Sequence, residues 1–224
     1  MRAAAVERLA DADAAARRAA DLLAAAVTEA LAQRGAAHLA LSGGRTPRAT
    51  YTQLGPLLPR WDGVHVWFAD ERCVGPQDPD SNARLVRETL VAPGAVVHRM
   101  QGELGADDAA RAYERELGDV VLDAVLLGLG EDGHTASLFP GNVALDADGR
   151  VAGVHDAPKP PPDRVTLTRA TLDGARNRIL LVTGAGKAQA LAGTLGDPST
   201  AVPGSLLRRD GLVVLADRPA LGAG

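Results

Sequence analysis

Two hydrophobic periods alternate along this chain, one of helical length and one of strand length, and the switches between them mark the elements. From about Val6 to Arg34 an Ala/Leu-rich stretch with its charges on one side predicts a long amphipathic helix, with Gly35 placed to end it in a left-handed cap. His38 to Ser42 (HLALS) is a short apolar run of strand length. Gly43-Gly44 then turns the chain, and Thr46-Pro47 supplies a cap followed by proline at the first helical position. The same order recurs downstream. Val64 to Ala69 (VHVWFA) predicts a strand, and Asn82 to Leu90 a helix capped by Ser81. Val96 to Met100 predicts a weaker strand and Asp107 to Leu117 a helix.

Asp123 to Leu129 is a continuous apolar run, as a strand buried on both faces of a parallel sheet should be. Beyond it lie a proline-rich loop (Ala157 to Pro162), an alternating strand pattern (Arg164 to Thr168) and an apolar strand (Ile179 to Thr183). A helix from about Lys187 to Leu195 and a last strand at Leu212 to Leu215 close the series. No repeat or long linker divides the chain. The pattern predicts an α/β fold, one domain over residues 1–224, built on a mostly parallel sheet covered on both faces.

Composition narrows the function. The formal net charge of −4 provides no basic field for a nucleic acid or an anionic membrane. Tyr51, Trp61, Trp67, Phe68, Tyr113 and Phe139 are the only aromatics, too few and scattered for a stacking platform, so recognition must be mainly polar. Cys73 is the single cysteine, which points to a reducing, cytoplasmic setting and removes cysteine metal cages. Charges interrupt every apolar run near the start, so no secretory or membrane-spanning segment is expected there. Of the cations only Lys159 and Lys187 are lysines.

Ligands of parallel sheets bind beyond the carboxyl ends of the strands, and the segments there are rich in glycine and polar residues. Ser42-Gly43-Gly44-Arg45-Thr46-Pro47 reads either as a phosphate cradle on a helix start or as a turn with a capping Thr. In Asp70-Glu71-Arg72, Arg72 is placed to clamp a phosphate and Asp70 to orient a sugar hydroxyl or a water; the alternative is a solvated loop. Gly128, Gly130 and Gly133 spell a dinucleotide fingerprint, but Pro140-Gly141 ends any helix before a crossover helix could form. The same stretch holds His134 two residues after Asp132, an imidazole that exchanges protons near neutral pH beside a carboxylate that can orient it. Lys187 follows Gly184 and Gly186 at a helix start, where the helix dipole disfavours a cation unless an anion is bound.

SGGRTP (42–47), FADER (68–72), DSN (80–82), GLGEDGHTASLFPG (128–141), RVTLT (164–168) and VTGAGKAQAL (182–191) together resemble the 6-phosphogluconolactonases. The resemblance runs in order from Leu39 to about Leu215. It implies a three-layer α/β/α sandwich, Rossmann-like, of the glucosamine-6-phosphate isomerase kind. It also implies hydrolysis of 6-phospho-D-glucono-1,5-lactone to 6-phosphogluconate, the second step of the oxidative pentose phosphate pathway, without metal or organic cofactor. On this chain His134 becomes the general base and Asp132 its support. Gly43, Gly44, Thr46, Arg72 and Lys187 surround the 6-phosphate, with Arg164 and Arg45 as further contacts and Asp70 on the sugar. Backbone N–H groups from Gly130 to His134 are expected to stabilise the oxyanion. The expected partner is the small lactone alone, with the chain a monomer or a small homo-oligomer.

Two rivals differ in testable features. Glucosamine-6-phosphate deaminase/isomerase shares the fold and a DGH motif but needs a carboxylate base, a role Asp70 would have to fill. A sugar-phosphate sensor would carry a DNA-binding module, and only one long helix precedes Leu39.

Overall fold

The computed structural model describes residues 4–222, so the first three and last two residues of the 1–224 span lie outside the described residues. The chain opens on a strand, β1 (Ala5–Leu9), and only then enters α1 (Ala12–Arg34). The helix expected from Val6 therefore starts six residues later. Asp11, in extended backbone, accepts the Ala14 N–H at 2.8 Å and caps the helix there. Upstream residues instead pair in parallel with β10 (Leu212–Asp217), from Ala5 against Val213 to Leu9 against Asp217. Unpaired N–H and C=O groups on the β10 edge supply the reason, and local alanine content does not report it. At the other end Gly35 adopts φ +73° and donates to Leu31 O, as the sequence predicts.

Parallel strands β2 (Ala37–Leu41), β3 (Val64–Phe68), β5 (Val96–Val97), β6 (Ala124–Gly128) and β9 (Asn177–Val182) complete the sheet in the order β1-β10-β9-β6-β2-β3-β5. The continuous apolar run is β6, at the centre, with Ala124 to Leu127 fully buried. Each buried Leu or Val there contributes about 1.5–3 kcal/mol. Between the strands run α2 (Arg45–Leu57), α3 (Asn82–Thr89), α4 (Ala106–Leu117), a short α5 (Arg169–Asp173) and α6 (Ala188–Leu195). Helix α1 lies along β2, β6, β9 and β10 beside α2, and its buried face is mostly alanine. With helices on both faces of the parallel sheet, the architecture is the three-layer sandwich. No helix among the described residues is long and apolar enough to cross a membrane.

A second, antiparallel sheet departs from the expectation. Strands β4 (Asp70–Arg72), β7 (Val151–Val154) and β8 (Arg164–Leu167) assemble in the order β4-β8-β7. Asp70-Glu71-Arg72 is thus a strand, not a solvated loop, and Arg164 to Leu167 lies outside the parallel sheet with all four residues buried. Glu71 explains how three charges tolerate this. Its carboxylate accepts the N–H groups of Arg72, Asn82 and Ala83 and the Ser81 hydroxyl at 2.7–3.1 Å, which also ties down the start of α3. Burial raises its pKa and the three backbone donors oppose the rise.

At the amino ends of β2 and β3, away from the carboxyl-end loops, three histidines form a row. His38 stacks on His65 at 4.7 Å, and His65 Nδ1 meets His98 Nε2 at 2.9 Å. Trp67 Nε1 donates to His38 Nδ1 at 3.1 Å, and His98 Nδ1 lies 2.6 Å from Glu116. Added protons break the bonds that need a bare ring nitrogen. Burial, then the neighbouring imidazoles, lower the pKa of His38 and His65. With these groups depressed in the folded chain, the unfolded chain takes up protons first, so stability is full above the ordinary histidine range and falls as pH drops through about 6.5. Urea midpoints at pH 7.5 and 5.5 should show this loss, and His65→Gln should diminish it.

Candidate active site

The chain adds β3 and β5 to one side of β2, then β6, β9 and β10 to the other, so the loops leaving β2 and β6 diverge. A crevice opens at that switch point, at the carboxyl ends of the strands. The cleft found there measures about 230 Å³ and is lined by loops following β2, β3, β6 and β9 and by the proline-rich loop before β8.

On its β2 side lies the glycine turn. Tyr51, buried beneath it, donates its hydroxyl to Ser42 O at 2.5 Å. At Gly43 an added Cβ would lie 1.7 Å from Asn82 Oδ1, and Gly44 has φ +108°, so each position demands glycine for a different reason. Helix α2 begins at Arg45 with Gly44 at its cap and no side-chain cap bond. The expected Thr46 cap is therefore absent. The Thr46 hydroxyl instead lies 3.2 Å from that of Thr183, across the cleft floor. Among the described residues no protein group accepts the Gly43 or Gly44 N–H, so the turn and the free end of α2 present unused donors.

Facing it is the loop after β6. His134 Nδ1 is 2.5 Å from Asp132 Oδ1, which makes Nδ1–H the donor and leaves Nε2 free to accept a proton. Burial alone would raise the Asp132 carboxyl. The bond to His134, the charge of that ring and Lys159 overcome it and hold the carboxyl well below the usual carboxylate range. Gly130 makes room for the pair: a Cβ there would lie 2.0 Å from His134 Nδ1. The three glycines that imitate a dinucleotide fingerprint thus serve a tight loop. That loop uses its own N–H groups, with Gly130 donating to His134 O, Gly133 to Gly130 O, and His134 to Asp132. Three of the five N–H groups expected to face the oxyanion, those of Gly130, Gly133 and His134, are thus occupied within the loop.

Cations converge on the cleft from several loops. Arg45, Arg72, Arg164 and Lys187 line it as the sequence suggests, and Lys159, which the sequence left without a role, lines it too. Lys187 ends a 3-10 turn, Ala185–Lys187, just before α6 rather than within it. Its turn is pinned by buried Asp217, whose carboxylate accepts the Gly184 N–H at 3.0–3.1 Å. Burial, with the charges of Lys159 and Arg45 set against Glu131 and Asp132, lowers the Lys187 pKa. Arg164 is nearly fully buried and donates to the carbonyls of Pro161 and Lys159 at 3.1 and 2.9 Å, so it holds the loop that carries Lys159. Its guanidinium also lies 5.2 Å from the centre of the Phe139 ring, which in turn packs 4.4 Å from His134. Burial lowers the Arg164 pKa, a cost that a bound anion would relieve.

Asp70 reaches the cleft wall with both carboxylate oxygens engaged. Ser137 Oγ donates to Oδ2 at 2.7 Å, and Asn82 Nδ2 donates to Oδ1 at 3.2 Å. The sequence gives Asn82 no role of its own beyond its place in the DSN motif, where it reads as the first residue of a helix capped by Ser81. Its place became visible only once β4 and α3 met.

A glycine turn with unused donors, a histidine–carboxylate pair and five cations thus share one small cleft, and the chain that builds it is similar to known proteins over most of its length. A family model described as glucosamine-6-phosphate isomerases/6-phosphogluconolactonase matches residues 10–215. A 6-phosphogluconolactonase of Synechocystis sp. is 38% identical over 179 residues, 74% of each chain. One of Mycobacterium tuberculosis is 37% identical over 220 residues, 88% of this chain and 89% of its own. The crystal structure of a 6-phosphogluconolactonase from Shewanella baltica superposes with a TM-score of 0.86 at 27% identity, covering 96% of this chain and 97% of that one. Nearly the whole chain, the cleft included, lies within the matched span, and the chain belongs to the glucosamine-6-phosphate isomerase/6-phosphogluconolactonase family.

Proposed function

We propose that the chain hydrolyses 6-phospho-D-glucono-1,5-lactone to 6-phosphogluconate in the cytoplasm, the second step of the oxidative pentose phosphate pathway, with His134 as general base. The observation that carries this reading is the Asp132–His134 pair beside an anion-ready turn in one cleft. Asp132 holds Nδ1–H, so Nε2 takes a proton from water as its oxygen attacks the lactone carbonyl. The imidazolium returns that proton to the ring oxygen as the C–O bond breaks. A lactone is an activated ester, so no covalent nucleophile is needed. The Gly43-Gly44 turn, Arg45, Thr46 and Lys187 form the phosphate end, with Arg72, Arg164 and Lys159 adding positive charge. Isomerisation would need a carboxylate able to turn between two carbons of the substrate, and the two buried hydrogen bonds that fix Asp70 weigh against it.

Purified protein added to freshly made lactone should release acid faster than the spontaneous reaction. No acceleration would sink the reading, and ammonia release from glucosamine 6-phosphate would install the isomerase. Lys187→Ala should raise KM by roughly 10- to 100-fold with kcat little changed, as loss of one charge-assisted bond requires. Initial rates over a range of lactone concentrations, at low and high salt, check this. An unchanged KM would remove Lys187 from the phosphate site.

A further inference from the structure

The Ser137 hydroxyl supplies the side-chain bond that joins the His134 loop to β4. Ser137 is fully buried; its partner Asp70, and Asn82, which is bonded in turn to Asp70, are 6% and 1% exposed. Besides the Asp70 carboxylate, Asn82 Nδ2 holds the Asp70 carbonyl at 2.8 Å. The Asn82 oxygen then occupies the space where a side chain on Gly43 would stand. Three segments far apart in the chain are thereby coupled through one buried row: His134 loop, Ser137, Asp70, Asn82, glycine turn. Just before Ser137, Ala136 adopts φ +48°, a strained conformation that persists only where its surroundings hold it. The bonds of Ser137, through N–H to Thr166 Oγ1 at 3.2 Å and through Oγ to Asp70, provide that hold.

A carboxylate that carries protons between positions on a substrate must be able to turn its oxygens toward them. Asp70 offers each of its two oxygens to a buried donor of its own protein. We propose that Ser137 is a positioning residue for the hydrolysis, and that Asp70, locked by Ser137 and Asn82, serves as a fixed anchor rather than as a proton carrier. The lock sets the distance between the imidazole on one lip of the cleft and the phosphate-binding turn on the other. This inference rests on the lactonase reading.

The test compares Ser137→Ala, Asp70→Asn and the double variant with the unaltered chain, measuring kcat, KM and their pH profiles with the lactone, and affinity for 6-phosphogluconate. Each single substitution should lower kcat by about 10- to 100-fold, the cost of an ångström-scale misplacement. KM, product affinity and the shape of the pH profile should stay near those of the unaltered chain. The double variant should fall no more than about threefold below the weaker single, because both remove one shared interaction. Loss of a limb of the pH profile in Asp70→Asn, with Ser137→Ala at full kcat, would make Asp70 a proton carrier and overturn the proposal. Multiplicative losses in the double variant would overturn it as well. If Ser137→Ala does not fold, Ser137→Cys keeps the volume with a weaker donor. An intermediate kcat for it supports the lock, and full kcat refutes it. Absence of lactonase activity in the unaltered chain would instead remove the reading beneath.

Discussion

Replacing His134 by alanine is expected to lower kcat for lactone hydrolysis by about 10²- to 10⁴-fold while KM changes little. In the proposed mechanism the imidazole serves the reaction, not binding. Its Nδ1 is committed to Asp132, so in the proposed role the proton goes to Nε2, and among the described residues no other imidazole lines the cleft. His134→Gln sharpens the test, because the amide can still bond to Asp132 but cannot take up a proton. Both variants should sit close together in kcat and near the unaltered chain in product affinity. Asp132, held well below the usual carboxylate range, stays charged across the working pH and keeps its bond to the ring throughout it. A loss smaller than about tenfold in either variant would remove His134 from the role of base.

Gly130→Ala should damage the reaction by about 10²-fold or more although position 130 supplies no reactive group. The added methyl would stand 2.0 Å from His134 Nδ1 and 2.3 Å from Asp132 Oδ1, closer than non-bonded atoms can approach. The backbone cannot retreat easily. Gly130 N–H is bonded to His134 O at 2.8 Å and Gly130 O to Gly133 N–H at 3.1 Å, so the imidazole and the carboxylate must separate instead. The proposed phosphate end lies on other loops and is untouched, so 6-phosphogluconate should bind as before. Gly75→Ala, where nothing lies within 4 Å, is the matched control and should leave kcat unchanged. Equal activity of Gly130→Ala and the control would show that the loop yields without moving the pair.

Much of this was legible in the chain because its cause is local. HLALS followed by two glycines and a helix start makes β2, the turn and α2 with little help from elsewhere. The spacing of Asp132 and His134 lets one short loop pair them, whatever surrounds it. Even there the local reading errs by two residues, placing a Thr46 cap where Gly44 stands and free N–H groups remain. Residues whose role depends on distant partners stayed hidden. Glu71 looks like one of three solvated charges until α3 delivers Asn82 and Ala83 to its oxygens. Lys159 lies in an unpatterned loop until Arg164 draws the carbonyls of that loop toward the cleft.

The sequence by itself determined the alternation of strands and helices, the apolar central strand and the segments that carry reactive groups, since each follows from propensity, capping and turn chemistry within about ten residues. Only the tertiary structure decided that Ala5 to Leu9 would be a strand and that β4 and β8 would form a second sheet. It also decided which N–H groups in the cleft remain unused and that Asp70 would be locked by Ser137. Hydrogen-bond partners for strand edges and buried polar groups come from residues tens to hundreds of positions away, and no local pattern records which of them will meet.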